Sequence, residues 1–449
     1  MAEVEQVWLE ELSELLRIPS ISADAEREGD VRRAAEWVRD FIRGAGGNAE
    51  LVETETFPLV VGEIRASSGA EEAPTVLAYG HFDVQPPAPL DEWESPPFEP
   101  TVRDGWLYGR GTADDKGQLY ALLKAAALLA ADGELPVNVR FVCDGEEETG
   151  GNGVVKFIER DERGADAAVI FDSAMLRPGV PVFHTGTRGL VYFHVKVRTG
   201  DRDLHSGVFG GAALSATDAL LQTLRGVLPG PNGLLPEPLR VGRVPPSAAE
   251  AESWKSLTSG SDMLEEGGGR PSDAGAAAEF YERTWAEPAV TVNGFVGGEA
   301  TLQKTVLPVT AEANVSIRLA PGQDPDEITP VMQRLLREAA PEGADVEVER
   351  WSYASAGMVD PEAPAIQLAL DAFERVIGTR PLLIRVGGTL PIVPPLSERG
   401  IPIVLTGFDL PEGNIHSPNE RLRVDHIQLA VDVARELFRA FAQLPTSAR

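Results

Sequence analysis

Residues 75–86 read Thr-Val-Leu-Ala-Tyr-Gly-His-Phe-Asp-Val-Gln-Pro, an apolar run of strand length that gives way at once to ionisable side chains. Short apolar runs bounded by polar turns are the pattern of strands buried in an α/β sheet. The pattern returns downstream. Residues 137–143 lead into Asp144-Gly145-Glu146-Glu147-Glu148-Thr149-Gly150-Gly151, Ala167–Phe171 ends in Asp172, and residues 401–406 lead to a loop holding His416. Trp106–Tyr108 leads into Gly109-Arg110-Gly111-Thr112-Ala113-Asp114-Asp115-Lys116-Gly117. Helical periodicity alternates with these runs over Lys116–Ala131, residues 365–377 and Val424–Phe441. Strands alternating with helices predict an α/β sheet covered on both faces. Sites in such sheets form beyond the C-terminal strand ends, and here five strand ends carry carboxylates or imidazoles.

The middle of the chain has a different rhythm. Residues 191–197 alternate apolar and polar, and residues 289–296 and 311–319 resemble them, as strands of a sheet with one exposed face do. A helix is expected over 213–227, a Pro/Gly-rich passage over 228–246 and a flexible stretch over 259–275. The strand-and-helix pattern then resumes. This predicts an inserted domain at 188–353, between two parts of one outer domain at 1–187 and 354–449.

Composition narrows the function. With 449 residues the chain is too long for one ordinary core. Forty basic against 70 acidic residues give a net charge of -30, which argues against nucleic acid or an anionic membrane as partner. No stretch approaches the ~18 uncharged apolar residues of a membrane span, and residues 1–14 lack the basic start and apolar core of a signal peptide. The expectation is a cytoplasmic protein. One cysteine, Cys143, permits no intramolecular disulfide and no thiolate zinc site, and its apolar neighbours predict a buried strand position.

The ionisable clusters carry the chemistry. His81 and Asp83 stand two apart at a strand end, so both side chains point the same way; a carboxylate beside a ligating imidazole fixes its tautomer. Asp114 and Asp115 open a helix. Read alone the pair caps it, yet a carboxylate also bridges two cations, as a dinuclear site requires. Glu146, Glu147 and Glu148 read alone as a solvated acidic run, but at a strand end two neighbouring carboxylates can divide metal binding from proton transfer. The donors are nitrogen and oxygen without sulfur, which suits Zn²⁺ first and also Mn²⁺ or Co²⁺.

Residues 80–86, Gly-His-Phe-Asp-Val-Gln-Pro, together with 109–117, 145–150 and Asn414-Ile415-His416-Ser417-Pro418-Asn419-Glu420, resemble in order the blocks of the co-catalytic zinc peptidases. That family includes carnosinase, cytosolic non-specific dipeptidase, aminoacylase, acetylornithine deacetylase and succinyl-diaminopimelate desuccinylase. The resemblance implies a three-layer α/β/α catalytic domain with an inserted α+β lid that carries a homodimer interface. It implies two divalent cations per chain, one held by His81, Asp114 and Asp172, the other by Asp114, Glu148 and His416. It implies Glu147 as general base, acting on a water activated between the cations, and Asp83 as the acid behind His81. In the lid, Asp203-Leu204-His205-Ser206-Gly207 resembles the block whose histidine reaches a substrate carbonyl, often from the partner subunit. Arg318 matches a substrate-binding arginine, and Gly388 and Thr389 match a substrate-contacting loop. Asp172, preceded by Phe171 where relatives carry a polar residue, departs most from the pattern. Gln85 and the His-Ser-Gly-x-x-Gly-Gly lid block resemble the dipeptidase branch, so the implied substrate is a dipeptide or short peptide with a free C-terminal carboxylate. Two alternatives share these residues: an amidohydrolase acting on N-acyl amino acids, and an inactive relative that uses its lid for binding. His184, His194 and His426 match no ligand block and read as structural.

Overall fold

The structure is a computed structural model that describes residues 6–388 and 390–445. Two compact units divide the chain: Met1–Thr185 with Val359–Ile384 and Pro391–Arg449, and Gly186–Met358 with Arg385–Leu390. The short run Arg385–Leu390 thus goes with the inserted unit, although the sequence reading counts it within 354–449.

The first unit is built on a six-stranded sheet in the order Asn48–Val52, Leu59–Ile64, Asn138–Asp144, Thr75–His81, Ala167–Phe171, Ile403–Thr406. Its last four strands run parallel, and the first two join antiparallel at one edge. Every residue of the four parallel strands is buried. That explains why they read as continuous apolar runs rather than alternating ones. Helix Lys116–Ala131 packs on strand Thr75–His81 and on helix Val424–Phe441. The approach is close at Gly80, where a Cβ would stand 2.7 Å from Asp115 Oδ2 and 3.0 Å from Leu119; glycine is required there for steric reasons. Cys143 is buried in its strand as expected.

Trp106–Tyr108 departs from expectation. It lies outside the large sheet, in a three-stranded antiparallel sheet with Thr101–Arg103 and Arg421–Arg423. The cause is local. Asp104 and Gly105 both have positive φ, 48° and 79°, the signature of a two-residue hairpin turn. A three-residue strand ending such a hairpin cannot run across a parallel sheet. The small sheet still performs the expected service, because it delivers Gly109–Asp114 and Glu420 to one place.

The second unit contains a four-stranded antiparallel sheet in the order Ala289–Gly297, Thr310–Leu319, Gly189–Arg198, Asp345–Ala354. Burial alternates along Gly189–Arg198, with Val191, Phe193, Val195 and Val197 inside. Helices Ala216–Arg225 and Pro325–Ala339 cover that face with Leu220, Leu224, Ile328, Met332 and Leu336. The stretch 259–275 is not loop throughout: helix Gly260–Glu266 starts where the Ser259 side chain accepts from Asp262 N, a local cap that outweighs the glycines following it. Among the described residues no helix is long and apolar enough to cross a membrane.

Candidate metal centre

Five strand ends and loops of the first unit bring His81, Asp114, Glu148, Asp172 and His416 together. His81 Nε2 lies 2.9 Å from Asp114 Oδ1 and 3.9 Å from Asp172 Oδ1. His416 Nε2 lies 2.9 Å from Asp114 Oδ2 and 3.1 Å from Glu148 Oε2. These form two triads, His81–Asp114–Asp172 and Asp114–Glu148–His416, with the donor atoms of each within 4.8 Å of one another. The two oxygens of Asp114 serve one triad each, which is the division of labour a bridging carboxylate needs. Among the described residues no other group of His, Cys, Asp and Glu converges this way.

The orientation of His81 is fixed from behind. Its Nδ1 faces only acceptors, the Asp83 carbonyl at 3.1 Å and Asp83 Oδ1 at 3.4 Å, so Nδ1 carries the proton and Nε2 is left to ligate. The buried Asp83 also accepts from Glu147 N at 3.2 Å, Glu148 N at 3.1 Å and Ser22 Oγ at 2.6 Å. One carboxylate therefore aligns the strand-end histidine with the turn Glu147–Thr149, which carries the candidate base and a candidate ligand. Asp115 occupies the N-cap position of helix Lys116–Ala131 without capping it. Its Oδ2 instead accepts from His81 N at 3.0 Å.

The electrostatics match a site made for cations. Burial pushes Glu147 up to about 8 and Asp172 up to about 7, in each case aided by neighbouring carboxylates and opposed by His81. Asp114 goes the other way: burial would raise it, but hydrogen bonds from His416 and His81 hold it well below the usual carboxylate range. His416 is raised to about 10 by Asp114 and Glu148. His81 also stands well above its ordinary value, because its bonds to Asp114 and Asp83 outweigh burial. Facing carboxylates that need positive charge between them, with nitrogen and oxygen donors alone, fit divalent cations of the Zn²⁺, Mn²⁺ or Co²⁺ type.

Two partners escaped the sequence reading. Gln85 Nε2 donates to Glu148 Oε2 at 2.9 Å, whereas the sequence offered Gln85 only as a branch marker. Ser22 reaches Asp83 from 61 residues away, and nothing in its neighbourhood marks it. Replacing Gln85 by Leu removes the donor that holds Glu148; metal affinity is expected to fall about 10- to 100-fold, read by competition with a chelator, with unchanged affinity counting against this role.

The substrate residues expected from the lid lie in the second unit. His205 is exposed on a two-stranded piece with Val306–Leu307, and its Nδ1 accepts from Gly207 N at 3.0 Å. A neutral ring so bonded presents Nε2–H as its free donor. Arg318 is half-buried in strand Thr310–Leu319, near enough to Arg188 for its charge to act on that group. Burial first, and Arg318 second, lower Arg188 to about 10. Gly388 O accepts from Arg188 N at 3.1 Å, so Arg318, Arg188 and Gly388 form one neighbourhood. Thr389 lies outside the described residues. His184, His194 and His426 bond to Ser173, Asn314 and the Phe408 carbonyl respectively.

The chain is similar over most of its length to known peptidases. The cysteinylglycine-S-conjugate dipeptidase of Corynebacterium striatum is 28% identical over 434 residues, covering 94% of this chain and 93% of that protein. The Beta-Ala-His dipeptidase of Rattus norvegicus is 30% identical over 452 residues, 95% of this chain and 87% of that protein. The crystal structure of an M20 family metallo-carboxypeptidase from Sulfolobus solfataricus superimposes with a TM-score of 0.80 at 26% identity, over 98% of this chain and 100% of that one. The model of Peptidase family M20/M25/M40 matches residues 77–440, most of the chain's length, and the chain belongs to this family of peptidases.

Proposed function

We propose that the protein hydrolyses dipeptides or short peptides that carry a free C-terminal carboxylate, using two divalent cations, with Zn²⁺ the first candidate and Mn²⁺ or Co²⁺ also suited to the donors. The observation that carries this reading is the pair of triads sharing Asp114, with Glu147 raised to about 8 beside them. The two relatives compared above are dipeptidases by name, which favours peptides over N-acyl amino acids. His81, Asp114 and Asp172 would hold one cation, and Asp114, Glu148 and His416 the other. When bound, the cations supply Lewis acidity that lowers the pKa of water from about 15.7 toward 7 and polarises the scissile carbonyl.

The remaining work falls to side chains. Glu147 takes the proton of the attacking water on its carboxylate and returns it to the leaving amine. Asp83 keeps Glu147 and His81 in register through the turn N–H groups it accepts. His205 offers Nε2–H to the oxyanion that develops on the substrate carbonyl. Arg318 grips the substrate carboxylate through its guanidinium fork, with Gly388 and Thr389 as further proposed substrate contacts. The proposal includes a homodimer formed through the lid unit, no nucleic-acid or membrane partner, and a cytoplasmic location, which the single buried thiol Cys143 suits.

The test is metal analysis paired with a substrate panel. About two metals per chain and cleavage of free dipeptides support the reading. Activity confined to N-acetyl or N-succinyl amino acids moves the protein to the deacylase branch, and metals without hydrolysis of any panel member revive the binding role.

Loading must also move protons. At pH 7 His416, raised to about 10, is protonated in the metal-free protein, and His81 is raised as well, while cations bind only deprotonated ligands. Binding at pH 7 is therefore expected to release at least one proton per chain, and apparent affinity should climb as pH rises from 6 to 9. Calorimetry in buffers of different ionisation enthalpy counts the protons; a count near zero would contradict the raised histidines.

A further inference from the structure

We propose that Glu420, paired with Arg110, is the positioning residue that sets Asp114 and His416 for metal binding. The inference rests on the reading of those two residues as ligands. Glu420 is fully buried, and four donors converge on its carboxylate. Oε2 accepts from Gly111 N at 3.0 Å and Arg110 Nη1 at 2.6 Å, and Oε1 from Ala113 N at 2.9 Å and Asp114 N at 3.1 Å. The backbone of the bridging aspartate thus hangs directly on Glu420. The Glu420 carbonyl accepts from Gly109 N at 3.0 Å, closing the other side of the same loop.

The loop that carries His416 needs this anchor. His416 has a φ of 59°, a left-handed conformation that a non-glycine residue holds only against a steric cost. Its side chain is 53% exposed, so packing does not hold it. Asn414 and Asn419 are left-handed too, so the loop is wound through a sparsely populated region on both sides of its ligand. Such backbone persists only where its surroundings over-determine it. The constraint comes from the next residues. Asn419 Nδ2 donates to Glu92 O at 2.8 Å, and its Oδ1 accepts from Glu94 N at 2.9 Å. Glu420 then enters the interior.

Arg110 widens the connection. Its side chain is 1% exposed, stacks toward Trp93 at 5.5 Å, and makes two long contacts of 3.4 Å, to Pro86 O and Ser417 O. Pro86 follows the block of His81, and Ser417 follows His416. The buried pair therefore touches three segments that bear ligands. Asp83 does the same for His81 and the Glu147–Glu148 turn, so two buried carboxylates between them hold the segments of four of the five ligands. A buried charge set among N–H donors in this way is costly to disturb, because removing one partner leaves the other uncompensated.

The experiment uses the full-length protein and its Glu420→Gln variant, with Zn²⁺ and Co²⁺ as probes. Glutamine keeps one acceptor but cannot serve the backbone donors and Arg110 together. Zn²⁺ affinity is expected to fall about 10- to 100-fold, the range for residues that orient ligands. The visible spectrum of the Co²⁺ form should shift, and kcat at saturating metal should fall more than KM changes. A purely structural role would lower Tm and leave these three readouts unmoved, and that result overturns the proposal. If Glu420→Gln does not fold, Arg110→Lys decides on the same readouts: it keeps the charge but loses the guanidinium fork, so unchanged affinity and spectrum there overturn it equally. A native protein that binds no metal would instead remove the ligand reading itself, and two metals bound unaltered by either variant would remove only the role of Glu420.

Discussion

Replacing Glu147 by Gln is expected to lower kcat on a dipeptide by about 10²- to 10⁴-fold, the usual contribution of a positioned general base, while both metals stay bound. The separation follows from the geometry. Neither triad uses Glu147, so metal content should not change. The backbone of the turn is held by Asp83 through Glu147 N, and an amide side chain leaves that bond in place. What changes is proton capacity. Burial and the neighbouring carboxylates push Glu147 up to about 8, with His81 opposing, so its carboxylate is a stronger base than an exposed one. Bound cations will draw that value down, toward the working range of a base that must both accept and release a proton near neutrality. Metal analysis and steady-state kinetics on the purified variant decide; two metals with near-native turnover would sink the assignment.

Asp114→Asn should do the opposite and empty the site. Both oxygens of Asp114 are committed, one 2.9 Å from His81 Nε2 and the other 2.9 Å from His416 Nε2. An amide has one acceptor oxygen and no charge, so each triad loses strength at once. The loss in affinity should exceed the roughly 100-fold that marks the upper range for residues behind the ligands, and hydrolysis should fall below detection at micromolar metal. Asp172→Asn is the informative companion, since Asp172 belongs to one triad only and should weaken one metal while sparing the other. Retention of two metals by Asp114→Asn, with a normal melting profile, would refute the bridge.

How far the sequence disclosed this arrangement depended on what each residue does. Candidate ligands are few in type and follow apolar runs, so His81, Asp114, Glu148, Asp172 and His416 were visible as apolar runs breaking into acids and imidazoles. Asp172, the weakest match, stands at the end of strand Ala167–Phe171, which pairs with Thr75–His81. The buried strands were legible because both faces are covered, which makes them continuously apolar. The supports were not legible. Ser22 and Gln85 are ordinary polar residues whose role exists only through distant partners. Glu420 was visible as part of a motif but not as an acceptor for a loop that precedes it by some 310 positions. The placement of Trp106–Tyr108 failed for another reason: a strand of three residues carries too little pattern to say which sheet it joins, and the Asp104-Gly105 turn decided it.

The five candidate ligands are scattered along most of the chain, and that scatter bears on how the protein is made. Chains emerge from the ribosome N-terminus first. His81, Asp114, Glu148 and Asp172 are exposed to solvent metal long before His416 and the strand Ile403–Thr406 are synthesised. Helix Val424–Phe441 follows later still, and it buries Ile427, Val431, Ala434, Leu437 and Phe438, in part against helix Lys116–Ala131. A chain made only as far as Asp172 therefore carries one complete candidate triad and two of the three members of the other, while its sheet still lacks an edge. Both candidate triads can be complete only once residue 416 has been made, so truncation products that stop before it are expected to hold metal poorly and in the wrong ratio.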